Sequence, residues 1–364
     1  MSNTDETRAA IRSVAPTLVD QLDVHTDGDI LTHLSEYGEH PLARLLRSSL
    51  PDCLDRRSED VLVNVDQATR MIIPHSSFTK WLSSRLMTAS DREDSSAASG
   101  SLGEIRALGG LLEAFPVVEP VTEGKKRTPD FKINPTDGST PIFVEVSTKL
   151  MAESEACNLI AAGADRNGAG STGADYLEHV TAPFGRPTKS PENMRTEVAH
   201  KICQVKDGSH QAQPGSPFVI WLDLQDADFS VIDATELDPI SVGPSGELFS
   251  GGIWIGLYGK KGDPVLEHLC LQGGQSDAGA LSFDGRFVRD STVSAFLISL
   301  PSKMVLFENH MAATPIPMVS LAAILALPHF DLGRSWTRLG DNQWCLRLRV
   351  GSGTPKLIYR VSET

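Results

Sequence analysis

The segment RTPDFKINPTDGSTPIFVEVSTK, Arg127–Lys149, decides how the rest of the chain is read. Two short apolar runs, Phe131–Ile133 and Ile142–Val146, flank NPTDGSTP, a stretch dense in turn formers. The second run is β-branched and aromatic and predicts a buried strand, so the pair predicts a β-hairpin with a long loop. Asp130 stands at the mouth of the first strand, after Pro129, and Glu145 lies inside the second, between Val144 and Val146. A carboxylate within an apolar strand is costly unless something compensates it. Side chains alternate along a strand, so Glu145, Ser147 and Lys149 share one face. The hairpin can bring Asp130 beside that face. Two acids and an amine then surround one point, an arrangement suited to a divalent metal.

The flanking sequence supplies an α/β frame. Upstream, SLGEIRALGGLLEAF predicts a helix whose buried stripe is Ile105, Leu108, Leu111, Leu112 and Phe115. Ser101 followed by Glu104 is a capping-box pattern, which places Glu104 in the first turn and gives it either a capping or a ligand role. FPVVEPV predicts a strand. Downstream, MRTEVAHKICQVK predicts a helix with Val198, Ile202 and Val205 as its stripe and with Lys201 and Gln204 side by side. PFVIWLDL predicts a central strand with Asp223 near its end.

This order resembles the PD-(D/E)xK nuclease superfamily, in which Pro-Asp opens one strand of a hairpin and Glu-x-Lys sits on the next. Pro129-Asp130 matches the first half. Glu145-Val146-Ser147 matches the second, with Ser147 where the family has lysine. Glu104 fits the glutamate that the family carries on a preceding helix. The resemblance covers Leu102 to Leu150 and continues more loosely through Val198 to Leu224. It implies a restriction-endonuclease-like mixed sheet flanked by helices, and a nuclease that cleaves nucleic acid, DNA ahead of RNA, with Mg²⁺ or Mn²⁺. The implied metal ligands are Asp130, Glu145, Glu104 and the carbonyl of Val146. Lys149, or Lys201 with Gln204 on the helix that crosses the site in this family, would replace the motif lysine. A role in bacterial restriction or phage defence is compatible with the resemblance.

The remaining chain fills out this core. Residues 1–89 read as a helical region suited to a protein partner or to DNA. SDREDSSAASGS, within 90–101, reads as a linker. The core is expected over 102–330, with a loop insertion at 151–190, and strands WTRLGDNQWCLRLRV and KLIYRV lie within 331–364. GGIWIGLYG, TVSAFLISL and KMVLFENH read as strands, and Ser320–Leu327 as a short helix. GAGSTG in the insertion lacks the Gly-Lys-Ser/Thr ending of a phosphate loop.

Composition bounds the function. The formal net charge of −14 argues against a protein that coats nucleic acid with a wholly basic surface. It leaves room for a local basic cleft, for which Lys125, Lys126, Arg127 and Lys132 beside Asp130 are the candidates. No apolar run approaches the ~20 residues of a membrane span. The polar N-terminus does not read as a secretory signal. Five scattered cysteines without zinc-ligand spacing suit a reducing, cytoplasmic setting. A homo-oligomer is compatible with all of this. Ser147 also admits a second class of function, a nuclease-fold protein without catalysis that binds nucleic acid or another protein. A third reading, purely structural, would pair Glu145 with Lys149. They lie four residues apart on one strand, too far for a good pair.

Overall fold

The computed structural model describes residues 3–26, 28–50, 57–121, 128–148, 199, 202–203, 205, 213–225, 237, 240–242, 248–270, 274–300, 303–325, 330–340, 343–348 and 356–362. The N-terminal region is helical, as its periodicity predicts. Ile11, Val14, Leu18 and Leu22 stand at helical spacing over Glu6–Leu22, interrupted by Pro16, and the chain divides at Ala15 into α1 (Asn3–Val14) and α2 (Pro16–His25), because Pro16 is tolerated only in a first turn. The stretch Asp29–Ser48 breaks into α3 (Asp29–Thr32), a 3₁₀ turn (Leu34–Tyr37) and α4 (Pro41–Ser48). Next come α5 (Arg57–Ile72), a 3₁₀ turn (Ser76–Phe78) and α6 (Thr79–Ala89).

Helix α7 (Ser95–Ala114) corrects two expectations. Seven of the residues read as linker, Ser95–Ser101, form its first turns. Asp94 caps the helix by accepting from the Ala97 N–H at 2.8 Å, so Ser101 is not the cap and Glu104 is not in the first turn. The physical reason is tertiary. Ala98, Ser99, Ser101, Leu102 and Gly103 are buried, and α7 packs against α4, α5, α6 and the sheet. A run of small residues, flexible in isolation, suits that close approach. Gly109 shows how close it is: a Cβ there would lie 2.4 Å from the Cα of Ala68 on α5.

The predicted hairpin forms as β2 (Phe131–Ile133) and β3 (Ile142–Thr148), antiparallel with Phe131 opposite Val144. Gly138 in its loop has φ +74°, a conformation that favours glycine. Strand β1 (Val118–Pro120) pairs antiparallel with β2 on the outer side. Strand β4 (Phe218–Asp223) pairs parallel with β3, and later with β9.

Between them lie β5 (Ile240–Val242), β6 (Leu248–Ser250), α8 (Gly252–Tyr258), β7 (Pro264–Cys270), β8 (Gly274–Ala280) and α9 (Arg286–Arg289). The run GGIWIGLYG is thus a helix, although it reads as a strand. Every residue of α8 is buried, and an all-apolar run carries no periodicity to tell the two apart. β9 (Ala295–Leu300) and β10 (Lys303–Glu308) form an antiparallel pair, followed by α10 (Met318–Ile324). The C-terminal stretches, read as two strands, make three: β11 (Phe330–Gly340), β12 (Gln343–Leu348) and β13 (Lys356–Ser362).

The fold is mixed α/β. One sheet runs β1-β2-β3-β4-β9-β10-β11-β12-β13, and its first six strands hold the core. Alternation sends side chains to two clusters. On one face Ile142, Val144, Val146, Val219, Trp221, Ala295 and Leu297 pack beneath the N-terminal helices. On the other, Phe143, Phe218, Ile220, Leu222, Phe296 and Ile298 pack with α8, Phe287 and the segment of Ala199, Ile202 and Val205. Ala199, Ile202 and Cys203 are helical, in keeping with the helix predicted there.

Candidate functional site

The site is built at the carboxyl end of β3, where that strand runs past the start of β2. Asp130 immediately precedes β2. Its backbone N–H donates to the Val144 carbonyl at 3.0 Å, and its own carbonyl accepts from the Val121 N–H at 2.9 Å. The strand pairing that would satisfy Val146 has ended there, and the Asp130 carboxylate takes over: Oδ2 accepts from the Val146 N–H at 2.6 Å. This charge-assisted bond fixes the Asp130 side chain beside the peptide that follows Glu145.

Glu145 is 3 % exposed and Ser147 is 3 % exposed. In the parallel pairing with β4 they lie opposite Ile220 and Leu222, so both share the face of Phe143 and the second cluster. The segment of Ala199, Ile202 and Val205 covers that same face. It is held tightly. Arg286 donates to the Val205 carbonyl at 3.1 Å and Arg289 to the Cys203 carbonyl at 3.0 Å. A Cβ on Gly256 of α8 would lie 2.6 Å from the Ala199 carbonyl oxygen. Burial raises the pKa of the Cys203 thiol above its ordinary value, offset in part by Arg289 and Arg286. That makes Cys203 a packing residue rather than a nucleophile.

Glu104 lies toward the same end of β3, but on the helix that covers the opposite face. Its neighbour Gly103 abuts Thr148, where a Cβ would fall on the threonine hydroxyl. The Glu104 carboxylate pairs with the Arg85 Nε of α6 at 2.6 Å. Of the three acids expected to act together, Asp130 bonds the peptide that follows Glu145, and Glu104 is ion-paired to Arg85. Among the described residues, no group of three His, Cys, Asp or Glu is gathered to hold a metal ion. Lys132, the described member of the basic run, is half-buried and lies 3.7 Å from Glu119 across the β1–β2 pair. Lys125, Lys126, Arg127, Lys149, Lys201 and Gln204 lie outside the described residues.

Sequence reading missed a second polar centre, on the helix-covered face. Arg106 of α7 grips Asp223 at the end of β4 through two bonds, Nε to Oδ2 at 2.9 Å and a terminal nitrogen to Oδ1 at 2.7 Å. Asp223 is fully buried and Arg106 nearly so. Gln225 donates its backbone N–H to Asp223 at 3.2 Å and its side-chain amide to Ser299 at 2.6 Å. Asn64 of α5 donates to the Gln225 side chain at 2.8 Å. The sequence signals for this centre are Arg106, a charge among the apolar positions Leu102, Ile105 and Ala107, and Asp223 near the end of the apolar run PFVIWLDL.

Asn309, another polar residue near the sheet, organises a turn by donating to the carbonyls of Asp290 and Val293 and accepting from the Met311 N–H. No helix among the described residues is long and apolar enough to cross a membrane. No protein-family model matches this chain, and no match was found among curated proteins or solved structures.

Proposed function

We propose that this protein is a metal-dependent nuclease that hydrolyses phosphodiester bonds, with DNA as its substrate, in restriction or phage defence within the cytoplasm. The observation that carries the reading is the convergence at the β2–β3 mouth: Asp130 bonded to the Val146 N–H, with Glu145 buried on the adjoining residue. Asp130 serves the end of β3 through the Val146 N–H, and Glu145 is a carboxylate held inside an otherwise apolar strand, where a bound cation would offset part of the cost of its burial.

The donor set fits Mg²⁺ or Mn²⁺. Such ions take hard oxygen ligands and are commonly held by one or two carboxylates together with waters and substrate phosphates. Asp130, Glu145 and the Val146 carbonyl would hold the ion, which would supply a nucleophilic water and stabilise the leaving oxygen. The chain's own parts have separate tasks. The Val146 N–H orients the Asp130 carboxylate. The buried wall of Phe143, Ile220 and Ile202 limits water around Glu145. A lysine from Lys149 or Lys201 would place positive charge beside the scissile phosphate. The helix segment around Ile202, clamped by Arg286 and Arg289, lies on the face of Glu145, which keeps Lys201 and Gln204 in contention.

Ser147 favours a second reading, a nuclease-fold module that binds nucleic acid or a protein partner without cleaving. It is buried where the family has lysine and brings no charge. Incubation of purified protein with plasmid, linear DNA and RNA, in Mg²⁺, Mn²⁺ or EDTA, separates the two. Metal-dependent cleavage that disappears in Asp130→Asn supports the nuclease. Retained binding with no cleavage in any metal supports the module.

A further inference from the structure

A cavity of about 370 Å³ lies on the helix-covered face, between α5, α7 and the carboxyl ends of β4 and β9. Ligands of open α/β sheets favour this position, outside the carboxyl ends of the strands. Its size is at the low end for small-molecule sites, enough for one compact ligand.

Three features of the lining define the ligand. First, Asn64, Gln225 and Ser299 form a ladder of hydrogen bonds at 2.8 and 2.6 Å, and Gln225 is anchored from behind by Asp223. Carboxamides both donate and accept, which suits the mixed edge of a heterocyclic base. Second, Trp221 lines the cavity with Met71 and Met304, an indole and two thioethers that suit a flat ring. Trp221 is 1 % exposed, yet its Nε1 makes no hydrogen bond among the described residues. Third, the rim carries Arg70, whose side chain is 62 % exposed and is tethered to Asp66 at 3.0 Å. Asp66 is itself fixed by the Leu18 N–H at 2.8 Å. A restrained guanidinium at a cavity mouth suits a phosphate, and Glu113 on the facing helix can accept from ribose hydroxyls.

We propose that this cavity binds one nucleoside monophosphate, free or as the phosphorylated end of a strand. The base enters toward Trp221 and the Asn64–Gln225–Ser299 ladder, and the phosphate meets Arg70. No residue is shared with the Asp130–Glu145 site, so the proposal stands whether or not the protein cleaves nucleic acid.

Calorimetric titration of the full chain in EDTA tests it, with AMP, GMP, CMP, UMP, a 5′-phosphorylated adenine dinucleotide and inorganic phosphate as probes. At least one monophosphate should bind with a Kd below about 1 mM, and Arg70→Ala should weaken it about tenfold, the scale of one charge-assisted contact. Asn64→Leu should weaken it at least as much. Should Asn64→Leu fail to fold, the exposed Arg70 carries the test. Tighter binding of the dinucleotide assigns a strand end, and tighter binding of AMP assigns the free nucleotide. The proposal is overturned by the absence of binding for every nucleotide, by affinity unchanged in Arg70→Ala, or by inorganic phosphate binding as tightly as the monophosphates.

Discussion

The Arg106–Asp223 pair sets the expected response of the fold to a single substitution. Both groups are out of water, and the guanidinium engages both carboxylate oxygens. Asp223→Ala would leave the Arg106 charge buried without its partner and would remove the acceptor of the Gln225 N–H. Breaking a buried pair from one side costs about 3–5 kcal/mol. For a chain of this size a kcal/mol corresponds to about 2 °C, so Asp223→Ala should lower the melting temperature by about 6–10 °C. Arg106→Met should cost a similar amount. The double variant Arg106→Met/Asp223→Leu removes both charges and refills the space. It should regain most of the loss, because a well-packed apolar pair of similar volume is often neutral relative to a buried ion pair. Calorimetric melting of the wild type, Arg106→Met, Asp223→Leu and the double variant completes a double-mutant cycle and measures the coupling, with Asp223→Ala as a separate truncation. If each single variant costs less than about 1 kcal/mol, or if the double costs the sum of the singles, the reasoning about an uncompensated buried charge is wrong.

Four further outcomes are expected. Asp130→Asn keeps an acceptor for the Val146 N–H, so it should fold normally while Mn²⁺ affinity, read by calorimetry, falls at least about tenfold. Unchanged affinity would exclude Asp130 as a ligand. In the proposed nuclease, Lys149→Ala should reduce cleavage by ~100-fold or more with metal binding intact, and Lys201→Ala should matter less; full activity in Lys149→Ala would remove it from the site. Gly109→Ala drives a methyl into the α5 backbone at Ala68 and should cost about 1–3 kcal/mol or more in chemical denaturation, whereas a neutral result would mean that α5 and α7 separate easily.

His40 is 3 % exposed, and burial lowers its pKa from the ordinary 6.5, opposed in part by the Asp91 carbonyl that its Nε2 meets at 3.0 Å. The unfolded chain therefore binds a proton at higher pH than the folded one. The stability that His40 contributes is complete above pH 6.5 and is lost as pH falls through the lowered folded value. His40→Gln should flatten that decline in denaturation curves between about pH 7 and 5, and an identical decline in both proteins would exclude His40 as its source.

Local chemistry made the hairpin legible. Turn formers over Asn134–Pro141 and the β-branched run after them leave few alternatives, and the strands fall at their expected residues. Asp130 beside the Glu145–Val146 end of β3 was legible for the same reason, since a hairpin fixes the register of its own two strands. Pro16 marked a break that the apolar spacing alone would have bridged. Three features resisted reading because their causes are tertiary. The first turns of α7 look like a linker until four neighbouring elements bury them. The α8 run is apolar on every side. Arg106 and Asp223 are 117 residues apart, and nothing local to either residue names the other. Glu104 shows the converse: its position in the helix order matched the nuclease pattern, while Arg85, on a different helix, decides its partner.

The position of β4 has a consequence for how the chain reaches this structure. FVIWLD is buried along its whole length, parallel to β3 on one side and to β9 on the other. Each partner is about seventy residues away along the chain, so neither pairing is local, and parallel pairing across such spans is slow. During synthesis at about 5–20 residues per second, β4 emerges several seconds before β9 exists. For that interval its outer edge is an unpaired row of backbone donors and acceptors flanked by Phe218, Ile220 and Trp221, the kind of surface that recruits other strands. Aggregation of the nascent or refolding chain should therefore start at Phe218–Asp223, and should subside once β9 closes over it.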